Sequence, residues 1–286
     1  MPAFTAIPTP SAAHFERIVK QFVEPAWQQV AGAIFNVVVT SCQEQPEKER
    51  RMCIGVRGRR FASRRVLKVK GKVVGVGRGK NTAVGLTEEE LKAILNYNAC
   101  EAAPKILGPI VEKIFQDYAK IEVATMPVGP RLVVQYPEFE DEDFYLHCVF
   151  KITFKNGEVW FLDLTYSQFG FDSCWTPERE YRTLYQKRGV GAERDSCRPV
   201  GQNYGMYPPE EPEDRRRLND HLRESLNFDF SLFCLEHDKN IHQIVNDGGD
   251  NGQELKALLE DLGECADNAV THCREVEMAM ADLAHG

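Results

Sequence analysis

The chain has 286 residues, of which 43% are hydrophobic and 27% are charged. This balance is typical of a globular protein with one large domain or two small ones. The formal net charge of −8 argues against a general nucleic-acid binder, and the longest apolar run, 30–39, is too short and too interrupted to span a bilayer.

The N-terminus and the cysteines indicate a compartment. Residues 1–8 have no basic region leading into an apolar one, so the sequence predicts no secretory signal. The nine cysteines are scattered and odd in number, which does not fit a disulfide framework. We therefore predict an intracellular protein, cytoplasmic or nuclear. Because no Cys-x-x-Cys pair occurs, we predict no metal site. The chemistry considered below needs no other cofactor.

The first 85 residues divide into a helical segment, 1–45, and a basic β or loop segment, 46–85. Apolar side chains at helical spacing predict helix over 11–39, which Pro25 either interrupts or divides into two helices. Residues 66–69 and 72–76 are β-like. The basic stretch 50–80 has only one aromatic residue that could stack on bases, so it predicts a solvated surface with no specific nucleic-acid binding.

Two helices are predicted at the start of a central segment, 86–190. Thr87-Glu-Glu-Glu is a capping box, so the first helix should begin near Thr87. A break follows at 96–99, and the second helix runs from Cys100 to Tyr118 with Pro104 in its first turn. Residues 121–124 and 131–135 are candidate strands, followed by an acidic loop at 138–143.

Residues 145–165 predict two antiparallel strands joined by a turn at Asn156-Gly157. A three-residue loop, 155–157, would pair Phe154 with Glu158. One face of the hairpin would then be wholly apolar, with Cys148, Phe150, Ile152, Phe154, Trp160, Leu162 and Leu164. A two-residue turn would mix polar side chains into this face, so the hydrophobic pattern favours the three-residue loop.

The C-terminal part is predicted to contain a Gly- and Pro-rich linker, 191–214, and a helical segment, 215–286. Its helices should span 218–235 and 254–283, and the Gly-rich loop between them predicts an antiparallel pair that covers the core.

The three-residue loop also brings together two residues with catalytic potential. His147 and Asp163 become diagonal neighbours on the second face, and a carboxylate that orients an imidazole is two thirds of a nucleophilic triad. Cys100 is the candidate nucleophile, because a helix N-terminus favours the thiolate. Cys148 should point to the core face instead. Glu101 would oppose thiolate formation unless its side chain points away.

A structural interpretation of the same residues remains open. Cysteine is among the most frequently buried residue types. Cys100 would then be a core residue, with His147 and Asp163 forming a hydrogen-bonded pair at the edge of the sheet.

The order of a Cys on a helix, a His near a strand start and an Asp on the next strand resembles the papain-like and transglutaminase-like cysteine enzymes. The similarity covers about 86–171, and its best part is His147 followed by Trp-Phe-Leu-Asp-Leu-Thr at 160–165. Residues 165–170 also resemble a segment of uncharacterised fungal proteins of this type. The resemblance implies an α+β fold in which a helix packs on an antiparallel β-sheet, with additional N- and C-terminal helices.

We therefore predict a cysteine-dependent amide-processing enzyme, namely a peptidase, deamidase or acyltransferase, with Cys100, His147 and Asp163 as its triad. Gln168 either orients a substrate amide or holds its own loop, and Trp175 would line the substrate site. The predicted substrate or partner is a protein or peptide, and no membrane is involved. The alternative is a catalytically inactive papain-like fold that serves as a protein-interaction module.

Overall fold

A computed structural model describes residues 11–34, 37–44, 65–73, 85–135, 145–187, 196–201, 213–246 and 252–285. Its α-helices are α1 Ala12–Ile18, α2 Glu24–Ile34, α3 Glu88–Leu95, α4 Ala102–Phe115, α5 Glu178–Leu184, α6 Glu213–Glu236, α7 Ile241–Asn246 and α8 Gly252–His285. Its strands are β1 Val37–Glu44, β2 Arg65–Val73, β3 Ala119–Val128, β4 Leu132–Gln135, β5 Tyr145–Phe154, β6 Val159–Leu162, β7 Trp175–Pro177 and β8 Ser196–Pro199. The protein is of the mixed α+β class.

The N-terminal helical run is continuous through Pro25 but ends earlier than predicted. A π-helical segment, Val19–Val23, joins α1 to α2, and Pro25 is the second residue of α2. A π turn accommodates a proline at this place because it already departs from the regular α-helical hydrogen bonds. Residues 37–39 were predicted as helix but begin β1. Three successive valines there favour a strand.

The predicted helix break at 96–99 is confirmed and is fixed by a buried asparagine. Thr87 and Glu90 form the capping box of α3. After α3, the Asn96 side chain accepts from Trp27 Nε1 (2.6 Å) and donates to Ser167 Oγ (3.0 Å). Asn96 therefore ties the loop between α3 and α4 to α2 on one side and to the 3-10 turn Tyr166–Phe169 on the other.

The main sheet has five antiparallel strands in the order β7-β6-β5-β3-β8. The three-residue loop of the hairpin is confirmed: Phe154 N donates to Glu158 O at 2.8 Å, and Phe150 pairs with Leu162. The predicted linker 191–214 contains β8, so this prediction is wrong for Ser196–Pro199, which pairs with β3. The hydrogen bonds that β8 makes with the edge of β3 outweigh the low strand propensity of the Gly- and Pro-rich stretch around β8.

Both faces of the main sheet are covered. The predicted apolar face of the hairpin lies in the main core together with side chains of α1, α2, α4, α6 and α8. The opposite face carries a second cluster, with members Ala124, Met126, Val128, Val149, Phe161, Phe169, Phe171, Tyr181 and Tyr185. His147 was expected to lie away from the core, but this second cluster buries it completely.

A second sheet was not anticipated. It has the order β1-β2-β4, with β1 antiparallel and β4 parallel to β2. Its core includes Val39, Leu67 and Val134. β2 is the part of the basic segment that the structure describes, whereas most of 50–80 and the acidic loop 138–143 lie outside the described residues.

The predicted pair of C-terminal helices is confirmed as α6 and α8, with the short α7 between them. Side chains of both long helices enter the main core. Among the helices that the structure describes, none combines the length and apolar character needed to cross a membrane.

Candidate active site

His147 and Asp163 are in direct contact at one end of the hairpin. The last β5–β6 pair is Phe150–Leu162, so Asp163 follows directly after β6 and His147 lies just beyond this pair on β5. Nε2 of His147 is 2.8 Å from Oδ2 of Asp163, and both side chains are buried. The diagonal contact that the register predicts is therefore confirmed.

The Asp163 carboxylate accepts hydrogen bonds on both oxygens. Tyr181 OH donates to Oδ2 at 2.7 Å, in addition to the His147 contact. Thr165 N donates to Oδ1 at 3.1 Å, and Gln168 Nε2 donates to Thr165 Oγ1 at 2.9 Å. An ionised carboxylate only accepts, so these donors hold it in one orientation and compensate for its burial.

This environment favours a protonated imidazole. Burial by itself would lower the pKa of His147, but the charge of Asp163 and the hydrogen bond to it raise this pKa from 6.5 to about 10. The Cys100 side chain also interacts with the imidazole and raises its pKa further. At neutral pH the buried His147–Asp163 pair is therefore an imidazolium–carboxylate pair.

Cys100 lies just before the α4 helix, whereas the predicted helix began at Cys100 itself; α4 starts two residues later, at Ala102, and ends at Phe115. Glu101 is the N-cap residue of α4, and Cys100 precedes it with only 4% of its surface exposed. Nε2 of His147 is taken by Asp163. Nδ1 is buried without a hydrogen-bond partner in the described part of the chain, while the Cys100 side chain interacts with the same ring.

Two neighbours of Cys100 are now placed. Glu101 is buried and forms an ion pair with Lys105 at 3.3 Å, so its charge is compensated. Cys148 lies on the main-core face, where Thr125 Oγ1 is 3.3 Å from its sulfur. Burial, with Cys100 as a second cause, raises the pKa of Cys148 well above its ordinary value, so this thiol stays protonated.

The two residues predicted to bind substrate are also buried. Gln168 holds its own loop through Thr165, the second of the two roles considered for it. Trp175 lies in the main core, with its ring centroid 5.1 Å from that of Trp160 and 5.9 Å from that of Phe115. Neither position tests substrate binding, and that role stays a prediction.

Tyr181 is the residue of this site that sequence reasoning missed. It lies on α5, and its phenol reaches Asp163 only because α5 packs over the second face of the sheet. Burial, followed by the charge of Asp163, raises the pKa of Tyr181 well above its ordinary value, so the phenol remains a donor. Tyr181 follows Asp163 by 18 residues, and nothing in the sequence between them indicates that the two side chains meet.

The site provides no cluster of metal ligands. Within the described residues, no group of three or more His, Cys, Asp or Glu side chains could hold a metal ion.

The fold and the site define a mixed α+β protein with a buried Cys–His–Asp constellation at the end of a β-hairpin. In comparisons with known proteins, the chain matches no family model, no curated protein and no solved structure.

The Tyr181–Asp163 hydrogen bond yields a first prediction. We expect Tyr181→Phe to lower the free energy of unfolding by about 1.5–3 kcal/mol, because it removes one hydrogen bond to a buried charge. Urea unfolding measures this loss. Tyr185→Phe is the matched control, because its hydroxyl contacts the exposed Asp172. Equal losses in the two variants would contradict a special role for the Asp163 bond.

Proposed function

We propose that this protein is a cysteine-dependent amide-processing enzyme, a peptidase, deamidase or acyltransferase, with a core similar to the papain-like and transglutaminase-like enzymes. The observation that carries the proposal is the His147 imidazole. Asp163 anchors it through Nε2, its Nδ1 is buried with no hydrogen-bond partner among the described residues, and the Cys100 side chain interacts with the same ring. A purely structural histidine would satisfy both ring nitrogens, since buried polar groups are almost always hydrogen-bonded.

The proposed reaction uses each residue in one role. The Cys100 thiolate attacks the carbonyl carbon of an amide and forms a carbon–sulfur bond. His147 donates its Nδ1 proton to the leaving amine as the carbon–nitrogen bond breaks, which leaves a thioester on Cys100. Water or an acceptor amine then attacks the thioester carbon and gives its proton to His147. The carbon–sulfur bond breaks, which releases the acyl product and restores the Cys100 thiolate beside a protonated His147. Asp163 keeps the ring oriented in both steps.

The start of α4 supports the stabilisation of the oxyanion. The backbone N–H of Cys100 donates to no backbone carbonyl within the described residues. It lies before the N-terminus of a 14-residue helix, whose positive dipole end favours a developing negative charge. In the proposed mechanism this N–H donates to the carbonyl oxygen of the tetrahedral intermediate.

One observation favours the second candidate, a catalytically inactive fold that serves as a protein-interaction module. The side chains of Cys100, His147 and Asp163 are all buried, whereas catalysis requires that a carbonyl group reach the sulfur. The two candidates therefore differ in whether a reagent can reach Cys100.

Site-resolved alkylation of the folded chain tests the proposed function. We expect a small electrophile such as iodoacetamide to label Cys100 faster than the other eight cysteines, because the protonated His147 ring interacts with this thiol and favours the thiolate. Cys148 is the matched control, since it is equally buried and lies directly beside the site. Peptide mass spectrometry over a time course gives each rate. Labelling of Cys100 no faster than Cys148 would contradict the enzyme and favour the interaction module.

A further inference from the structure

The side-chain amide of Asn96 is buried and makes three hydrogen bonds. Its oxygen accepts from Trp27 Nε1 at 2.6 Å, and its nitrogen donates to Lys92 O at 2.8 Å and to Ser167 Oγ at 3.0 Å. An indole N–H only donates and a backbone carbonyl only accepts, so a single orientation of the amide satisfies both. In that orientation the Ser167 hydroxyl accepts the second hydrogen of the amide nitrogen.

Asn96 begins the loop that carries Cys100. Its carbonyl oxygen accepts from Ala99 N at 3.1 Å, which closes a tight turn just before the cysteine. Within this turn Asn98 has a φ of 58°, a left-handed conformation that asparagine tolerates better than most residues, and its carbonyl accepts from Arg215 Nη2 at 3.0 Å. These bonds fix the path of the backbone from Asn96 to Cys100, so the position of the Cys100 sulfur follows that of Asn96.

Ser167 belongs to the turn that contacts the other two members of the site. This 3-10 turn follows Thr165, whose backbone N–H donates to Asp163 Oδ1 at 3.1 Å. The last residue of the turn, Phe169, packs edge-on against the His147 ring, with the ring centroids 4.9 Å apart. The turn is therefore tied to both the carboxylate and the imidazole.

The three bonds of Asn96 serve different purposes. Lys92 O is among the last four carbonyls of α3, which lack partners within the helix, and Trp27 lies on α2. The bonds to these two residues end one helix and join it to its neighbour. The bond to Ser167 instead joins the loop of the proposed nucleophile to the turn that packs on the imidazole. Both side chains of this bond are buried, so it fixes the separation of the two segments at this point.

We propose that Asn96 is a positioning residue, whose hydrogen bond to Ser167 sets the distance and angle between the Cys100 sulfur and the His147 ring. A displacement of about 1 Å in such a pair costs on the order of 10²-fold in rate. The bond therefore controls the reactivity of the thiol in addition to the stability of the fold. The inference rests on the proposed function, because it gives Asn96 this role only if Cys100 and His147 act together.

Ser167→Ala removes this one bond and is the variant that tests it. Asn96→Ala would break three hydrogen bonds in the core at once and would destabilise the chain whatever the site does. Ser167→Ala leaves the other two bonds of Asn96 in place. Ser173→Ala is the matched control, because the Ser173 hydroxyl bonds the backbone of Trp175 in a neighbouring loop and does not join the two segments. Thermal melts of both variants control for folding.

The first measurement is the rate at which iodoacetamide labels Cys100 in the folded variants. We expect Ser167→Ala to slow this labelling by about ten- to a hundredfold. Ser173→Ala should leave the rate unchanged. A general loosening of the fold would have the opposite sign, because local opening exposes buried thiols and would speed the labelling of Cys100 and of Cys148 together.

The second measurement is an NMR titration of the His147 ring, which needs no reaction at the thiol. Burial lowers the pKa of His147, Asp163 raises it to about 10, and the Cys100 side chain contributes a further increase. Cys100→Ala should remove that last contribution and lower the pKa. We expect Ser167→Ala to shift the pKa of His147 toward the Cys100→Ala value, and Ser173→Ala to keep the wild-type value.

The two experiments separate failure of this inference from failure of the proposed function. A folded Ser167→Ala protein that labels Cys100 at the wild-type rate would overturn the positioning role alone. So would a pKa of His147 that stays unchanged in Ser167→Ala while Cys100→Ala lowers it. A wild-type Cys100 that labels no faster than Cys148 would instead remove the proposed function, and the positioning role with it.

Discussion

Replacing His147 with Gln is expected to slow acylation of Cys100 by about 10²- to 10⁴-fold, the usual contribution of a positioned acid or base. The probe is an activated ester, 4-nitrophenyl acetate. The wild-type chain should release one burst of nitrophenolate per Cys100 and carry an acetyl group on that sulfur. Glutamine still donates a hydrogen bond to Asp163 but cannot exchange a proton, so the substitution removes the chemistry of His147 while its contact with Asp163 remains.

Two further variants show that the burst reports on Cys100. Cys100→Ala should abolish it, and Cys148→Ala should leave it in place, because the Cys148 thiol stays protonated and faces the main core. Thermal melts of all three variants control for folding. A folded His147→Gln protein that acylates Cys100 at the wild-type rate would show that no Cys–His couple exists.

Replacing Asp163 with Asn is expected to lower the free energy of unfolding by about 3–5 kcal/mol, the cost of breaking a buried ion pair by removing one partner. The loss is large because the carboxylate accepts from His147, Tyr181 and Thr165 at once. An amide provides one acceptor oxygen, and its NH₂ group must face donors. Urea unfolding at pH 7 measures the difference.

The same pair predicts a pH dependence. The folded-state pKa of His147 is raised from 6.5 to about 10. Proton binding by His147 therefore stabilises the folded state fully below pH 6.5, and this contribution is lost as the pH rises through about 10. The stability difference between wild type and Asp163→Asn should accordingly be largest near pH 6 and smaller at pH 10. NMR titration of the His147 ring should show a lower pKa in the variant.

Asp172→Asn is the matched control for this experiment. Asp172 also pairs with a cation, Arg131 at 2.6 Å, but both side chains are exposed. We expect its loss to cost at most about 1 kcal/mol, as for other surface ion pairs. If the two variants lose the same stability, or if the Asp163→Asn loss does not change with pH, the buried ion pair does not have the role given to it here.

The alternation of polar and apolar residues determined the hairpin and its register. Only a three-residue loop keeps the apolar side chains of 145–165 on one face, and that choice by itself brings His147 to Asp163. The start of α3 was equally predictable, because the Thr87–Glu90 capping box is a local interaction. Such features depend on residues that are close in the chain, so they can be predicted from the sequence.

Features that depend on distant residues could not be predicted in this way. β8 lies within a Gly- and Pro-rich stretch and is a strand because its backbone pairs with the edge of β3. β2 and β4 pair in parallel although more than 50 residues separate them. Val37–Val39 was predicted as helix, since its apolar residues suit a buried element of either kind.

For the candidate site, the sequence predicted which residues belong to it, and the tertiary structure decided their environment. Nothing local shows that Asn96 ties the Cys100 loop to the turn after Asp163, that Tyr181 donates to the carboxylate, or that a second cluster buries His147. These contacts join segments far apart in the chain. Burial and charge pairing set the pKa of His147, and both exist only once those segments have packed together.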